Sequence, residues 1–192
     1  MTDAERATRP GGRTARVRAD VLAAVEVELA EHGYDGLTID AVAARSGVHR
    51  TTVYRRWQSV AGLLVDLLRA GADDSWQPAD TGSLEGDLIA VNREVHAALT
   101  ERPSVTQAVI AASFRTPEAA KALTDFWSDR YARTAAVVRR AVDRGEISPD
   151  TDAHQLVMLA TAPVYHQLVL LRLPMPRAAA DQYARAAVAS LG

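Results

Sequence analysis

The chain has 192 residues, 48% of them apolar, with 22 basic side chains against 24 acidic ones for a net charge of -2. That is a globular composition with room for a sizeable core, and a net charge that by itself points to no polyanionic partner. It has no cysteine, which excludes disulfides, thiolate metal sites and cysteine nucleophiles; with no apolar run long enough for a bilayer and no secretory segment in MTDAERATRPGGRTARVRAD, a cytoplasmic protein without a membrane partner is expected.

Residues 1–12 are polar, include Pro10-Gly11-Gly12, and read as a disordered basic arm. A helix is predicted from Arg13 to His32, because Val17, Val21, Leu22, Val25 and Leu29 recur at three- and four-residue steps and so share one face. Gly33 closes it. Thr38 is a good N-cap for a short second helix with Ile39, Val42 and Ala43 inward, and Gly47 ends that helix. A third helix runs from His49 to Trp57, with Val53 and Trp57 one turn apart on its inner side. Ser59 can cap a fourth, predicted over 59–77, whose buried stripe is Leu63, Leu64, Leu67 and Leu68 and which links two halves of the chain. Beyond Gly82-Ser83 every segment is helix-like, at roughly 84–101, 104–115, 117–144, 152–172 and 176–190. No alternating run argues for a sheet. The fold class is therefore all-α with about nine helices: a helix-turn-helix domain over 13–58 and a helical bundle over 78–192.

The third helix carries the chemistry. GVHRTTVYRRWQSV holds three arginines and a histidine, and no acid occurs between Asp40 and Asp66. Two short helices joined through one glycine, the second of them basic, form a helix-turn-helix pattern. In that motif the second helix enters the DNA major groove, where a carboxylate would be repelled by phosphate. Arg50 and Thr51 start the helix and project away from Val53 and Trp57; arginine can bond guanine O6 and N7 together, and threonine can meet a thymine methyl. Tyr54 and Arg55 lie one turn on, while Thr52 and Arg56 flank the backbone. In the arm, Arg6, Arg9 and Arg13 read equally as minor-groove or phosphate contacts or as plain disorder.

The stretch LTIDAVAARSGVHRTTVYRRWQSVAGLL resembles the DNA-binding motif of the TetR family of bacterial transcriptional repressors. The resemblance implies a three-helix DNA-binding domain and an all-helical C-terminal domain that binds a small effector and dimerises. It implies a scaffold at Thr38, Ala43, Gly47, Val48, Tyr54 and Trp57, and DNA contacts at Arg50, Thr51, Thr52, Tyr54 and Arg55, with Thr38 and Arg56 beside them. Further on, RGEISPDTD and the helix containing PVYHQLVLL resemble the C-terminal domain of one subgroup. Three positions depart from the pattern: His49 stands where serine commonly caps the recognition helix, Val60 where a lysine usually holds a phosphate, and Asp40 where some members place a polar or basic contact.

In the second half, polar and aromatic residues on inward helix faces are candidate effector contacts. These are Asn92 and His96 in one helix, Gln107 and Phe114 in the next, Trp127, Tyr131 and Thr134 in the third, and Thr161 and Tyr165 beside Pro163, where a kink is expected. Aromatics at helical spacing also read as packing residues. Two C-terminal helices offer apolar or small residues for a dimer: Leu156, Ala160, Val164, Leu168 and Leu171, then Ala180, Ala184, Ala187, Val188 and Leu191. The expected partners are a palindromic DNA operator, a small-molecule effector and a second copy of the chain, with no cofactor and no metal. Catalysis has little support, since the sequence holds no HExxH, GxSxG or phosphate-binding glycine loop and His154 and His166 lie more than three turns apart. A helical adaptor that binds ligand without DNA is the other reading, to which Asp40 and Val60 would lend weight.

Overall fold

In a computed structural model the described residues are 12–71 and 76–191. Nine α-helices and no strand occur among them. The arm expected at 1–12 lies outside the described residues except for Gly12, which opens α1 (Gly12–Gly36). That helix is interrupted at Gly33, whose φ of 68° is left-handed and therefore suits glycine. It is followed by α2 (Ile39–Ser46), α3 (Arg50–Trp57) and α4 (Val60–Gly71). Then come α5 (Leu84–Thr100), α6 (Val105–Ser113), α7 (Pro117–Asp143), α8 (Ala153–Tyr165) and α9 (Arg177–Ala189).

The fourth helix is shorter than its predicted span. It ends at Gly71, and residues 76–81 have no regular structure. After Leu68 the only apolar side chains before Trp76 are the small Ala70 and Ala72, and glycine followed by Pro78 does not favour continuation. The disturbance expected at Pro163 also occurs, but one turn later: α8 passes through Pro163 and runs into a π-helical turn over His166–Leu170.

Local chemistry explains the first four elements. The Thr38 hydroxyl accepts the Ala41 N–H at 3.1 Å and caps α2, which ends on Gly47 at φ 67°. Apolar side chains from α1 to α4, among them Val21, Val25, Val42, Val53, Leu63 and Leu64, form one core, and Ala108, Val109, Ala112 and Ala119 of α6 and α7 pack into it. The two halves of the chain therefore share buried surface. Across α1 and α2, Arg45 bridges Glu28 and Glu31, and His32 meets Glu28 at 3.1 Å. Gly62 permits the tight step from α3 to α4, for a Cβ there would stand 2.1 Å from the Trp57 carbonyl oxygen.

The C-terminal helices close a second core. Leu84, Leu88, Val137, Leu156 and Ala184 meet where α5, α7, α8 and α9 pack. Asn92 lies fully buried in it, and its amide donates to the carbonyls of Ala160 at 2.9 Å and Ala180 at 2.8 Å. It thereby ties α5 to α8 and α9. Asp87 is equally buried, held by Thr81 and by Arg140 at 3.0 Å. Burial alone would raise its carboxyl; the hydrogen bonds from Thr81 and Arg140 outweigh that and hold it below the usual carboxylate range.

Candidate nucleic-acid interface and effector cavity

The orientation of α3 follows from its two buried side chains. Val53 is 0% and Trp57 5% exposed, each contributing about 1.5–3 kcal/mol by burial. Their helical phase leaves Arg50, Thr51, Tyr54, Arg55 and Arg56 exposed and Thr52 half-buried. Asp66 of α4 fixes this phase. Its carboxylate accepts the Trp57 indole N–H at 2.9 Å and two N–H groups of Arg18 from α1, at 2.9 and 3.0 Å. One acid thus joins α1, α3 and α4. Burial would raise its pKa, but the bonds from Arg18 and Trp57 hold it below its ordinary value.

The positions that depart from the family pattern each have a structural role. His49 caps α3 as a serine would: its Nδ1 accepts the Thr51 N–H at 3.4 Å and meets the Thr51 hydroxyl at 2.9 Å. Asp40 pairs with Arg50 Nε at 2.7 Å, while the Arg50 guanidinium also stacks on Tyr54, 5.1 Å from the ring centroid. Both partners are more than half exposed, so the pair is weak and exchangeable. Val60 packs on the first core. Arg56 turns back to α1, donating to the Thr14 carbonyl at 3.2 Å and lying over the Trp57 ring. The exposed edge of α3 is therefore cationic, guanidinium- and hydroxyl-bearing, and anchored from behind. Such an edge can donate to base edges and phosphate oxygens.

Further along, a cavity of about 180 Å³ lies between α5, α7 and α8. Of the predicted effector contacts, Trp127, Tyr131, Thr134, Thr161 and Tyr165 line it. Trp127 and Tyr165 meet edge to face at 5.1 Å, with Tyr131 6.5 Å from Trp127. Burial pushes the Tyr165 phenol well above its ordinary value, so it is a neutral hydroxyl at any working pH.

Four predicted contacts lie elsewhere. Asn92 spends its donors on two backbone carbonyls. His96 Nε2 meets the Met175 carbonyl at 2.8 Å. Gln107 donates to the Leu99 carbonyl at 2.6 Å. Phe114 follows the last residue of α6, 81% exposed. In the sequence, an inward polar residue that secures a helix terminus or a neighbouring carbonyl has the same spacing as one that faces a ligand. The cavity also has walls that the sequence reading missed: Trp76 and Glu94 on one side, Phe126 and Arg130 on another, with Thr106 of α6. Arg130 lies three residues after Trp127 and Phe126 four before Arg130, so periodicity could have reached them.

The dimer residues need a larger correction. Leu156, Ala160, Val164, Ala180, Ala184 and Ala187 are all buried within the single chain. They pack α8 and α9 on each other and on α5, and so cannot also face a partner. Leu168 and Val188 are half-buried, while Leu171 and Leu191 are exposed. The free apolar face of α8 lies one step away, at Met158 and Leu159, 42% and 51% exposed, with Ala162 beside them.

No helix among the described residues is long and apolar enough to cross a membrane. Residues 21–67 match the model of the bacterial regulatory proteins of the tetR family, and residues 78–187 match the tetracyclin repressor-like C-terminal domain. The chain is 36% identical over 146 residues to an uncharacterized HTH-type transcriptional regulator of Mycobacterium tuberculosis, covering 76% of this chain and 72% of that protein. It is 31% identical over 169 residues to the HTH-type transcriptional regulator AqdR of Rhodococcus erythropolis, covering 86% and 81%. Among solved structures it is similar to a crystal structure of a TetR family transcription regulator, with a TM-score of 0.71, 31% identity, and coverage of 92% of this chain and 99% of that one.

Proposed function

We infer that this chain, which belongs to the TetR family of helix-turn-helix transcriptional regulators, acts as a ligand-responsive repressor that binds a palindromic operator as a homodimer. The observation that carries the DNA-binding part is the exposed basic edge of α3, seated by buried Val53 and Trp57 and locked by Asp66. Arg50, Thr51, Tyr54 and Arg55 are the base-reading and near-phosphate side chains. Thr38, Thr52 and Arg56 flank them. Two copies of α3 must sit about 34–36 Å apart, or at a related spacing, to read both half-sites.

The dimer uses the exposed face of α8, at Met158, Leu159 and Ala162, continued by Leu171 and the outer side of α9. Such an interface should bury more than about 1,200 Å² in total.

Effector response travels through α7 as well as α4. The helix carries Phe126, Trp127, Arg130 and Tyr131 on the cavity. At its start, Glu118 Oε2 lies 3.4 Å from the Ser59 hydroxyl, which itself accepts the Gly62 N–H. Just before α7, Arg115 pairs with Asp35 at 3.1 Å and stacks on Tyr34. A ligand that favours one setting of α7 therefore acts on the last turn of α1 and on the start of α4. It can shift operator affinity only by its differential affinity for the two settings.

The test is selection of bound sequences from random duplex DNA with the full chain. An inverted repeat with half-sites about one helical turn apart is the expected outcome. Enrichment of nothing would leave the adaptor reading in its place.

A further inference from the structure

Arg130 is the unusual residue of the cavity. Its guanidinium forms no hydrogen bond and no ion pair among the described residues. It is instead held between two rings, 4.1 Å from the Trp76 centroid and 5.1 Å from that of Phe126. The acids near it are engaged elsewhere: Glu94 accepts the Trp76 indole N–H at 2.9 Å, and Asp129 is bound by Arg133 at 2.9 Å. Burial weakens the charged form of Arg130, while Asp129 and Glu94 favour it; a guanidinium stays protonated in either case.

A partly buried cation with unused donors, fixed flat by stacking, is arranged to receive a planar anion. The rest of the cavity supplies an apolar aromatic body site with the Tyr165 hydroxyl, which makes no hydrogen bond among the described residues. Its size limits the guest: a protein cavity of about 150 Å³ holds one benzene, so about 180 Å³ suits one ring with a short substituent. We propose that the effector is a small organic acid, its ring or short acyl chain among Trp127, Tyr131 and Tyr165 and its carboxylate on Arg130. The assignment rests on the reading of this cavity as the effector site. It also gives the signal a route. Arg130, Phe126 and Thr106 line a second, more open groove, whose far wall is Leu22 of α1 with Leu67 and Leu68 of α4. An anion drawn to Arg130 therefore pulls on a side chain that shares this groove with the DNA-binding half.

The experiment uses three probes with one body and three charges: 3-phenylpropanoate, 3-phenylpropanamide and protonated 3-phenylpropylamine. Each is titrated into the full chain by calorimetry and by the fluorescence of Trp76 and Trp127, which line the cavity. The acid should bind about 10- to 100-fold tighter than the amide, the worth of a charge-assisted hydrogen bond in a partly desolvated site, and the ammonium ion should bind weakest. Arg130→Met should bring the acid down to the affinity of the amide while leaving the amide unchanged, and Arg130→Lys should keep part of the preference. Because the three-probe comparison is complete in the wild-type chain, a variant that fails to fold does not remove the test. Equal affinity for acid and amide, or tightest binding of the ammonium ion at Glu94, overturns the charge assignment and leaves the cavity reading standing. Binding of none of the three overturns both, and the DNA-selection result distinguishes that outcome from failure of the regulator reading.

Discussion

Replacing Asp66 by alanine tests how the recognition helix is held. The change removes the acceptor of the Trp57 indole, in a side chain only 5% exposed, and an orphaned buried donor costs about 1–3 kcal/mol. It also breaks the pair with Arg18, whose side chains are 35% and 24% exposed, worth about 0.2–1 kcal/mol at such a site. Asp66→Ala should therefore destabilise the chain by about 2–3 kcal/mol, a large share of the 5–15 kcal/mol typical of a folded protein. The midpoint of thermal unfolding should fall by about 4–12 °C. Urea denaturation followed by circular dichroism measures the difference. Two controls separate the contributions. Asp66→Asn keeps an oxygen for the indole and should cost about 1 kcal/mol, while Arg18→Ala leaves the Trp57 bond in place and should cost no more than about 1 kcal/mol. The carboxyl pKa is depressed in the fold, so its contribution is present above the unfolded value of about 3.9 and is lost as pH falls through the lower folded value. Asp66→Asn should accordingly flatten the acid limb of the stability profile. A loss in Asp66→Ala no larger than in Arg18→Ala would refute the hub.

Arg50→Ala should lower affinity for the selected operator by about ten- to a hundredfold and blur one base preference; Asp40→Asn, which frees Arg50 and removes a carboxylate, should move affinity the other way, both read by fluorescence anisotropy at fixed salt. Arg56→Ala should weaken all duplexes alike and reduce the slope of log affinity against log salt by about 0.9; an unchanged slope would mean that Arg56 serves only Thr14. Met158→Asp with Leu159→Asp should yield a species of monomer mass in sedimentation at micromolar concentration, and an intact dimer in that variant would move the interface off α8. Asn92→Asp places an acceptor-only carboxylate against the Ala160 and Ala180 carbonyls, and should cost about 3 kcal/mol or more by urea denaturation.

Much of the molecule is legible along the chain because the relevant forces are local. The spacing of Val21, Leu22, Val25 and Leu29, the cap at Thr38, the left-handed glycine at 47 and the acid-free run around α3 depend on neighbours within one or two turns. They set the helices, the all-α class and the exposed edge of α3. Tertiary packing decided the rest. A helix face can be apolar because it meets its own chain or because it meets another, and Ala160, Val164, Ala180 and Ala184 proved to be of the first kind. A polar residue on an inward face can serve a ligand or a backbone carbonyl, and Asn92 and Gln107 serve carbonyls. Arg130 could not be singled out along the chain, since its isolation depends on where Trp76, Phe126 and Glu94 come to rest. Periodicity reports which side of a helix turns from water, whereas contacts between residues distant in sequence determine what lies on that side.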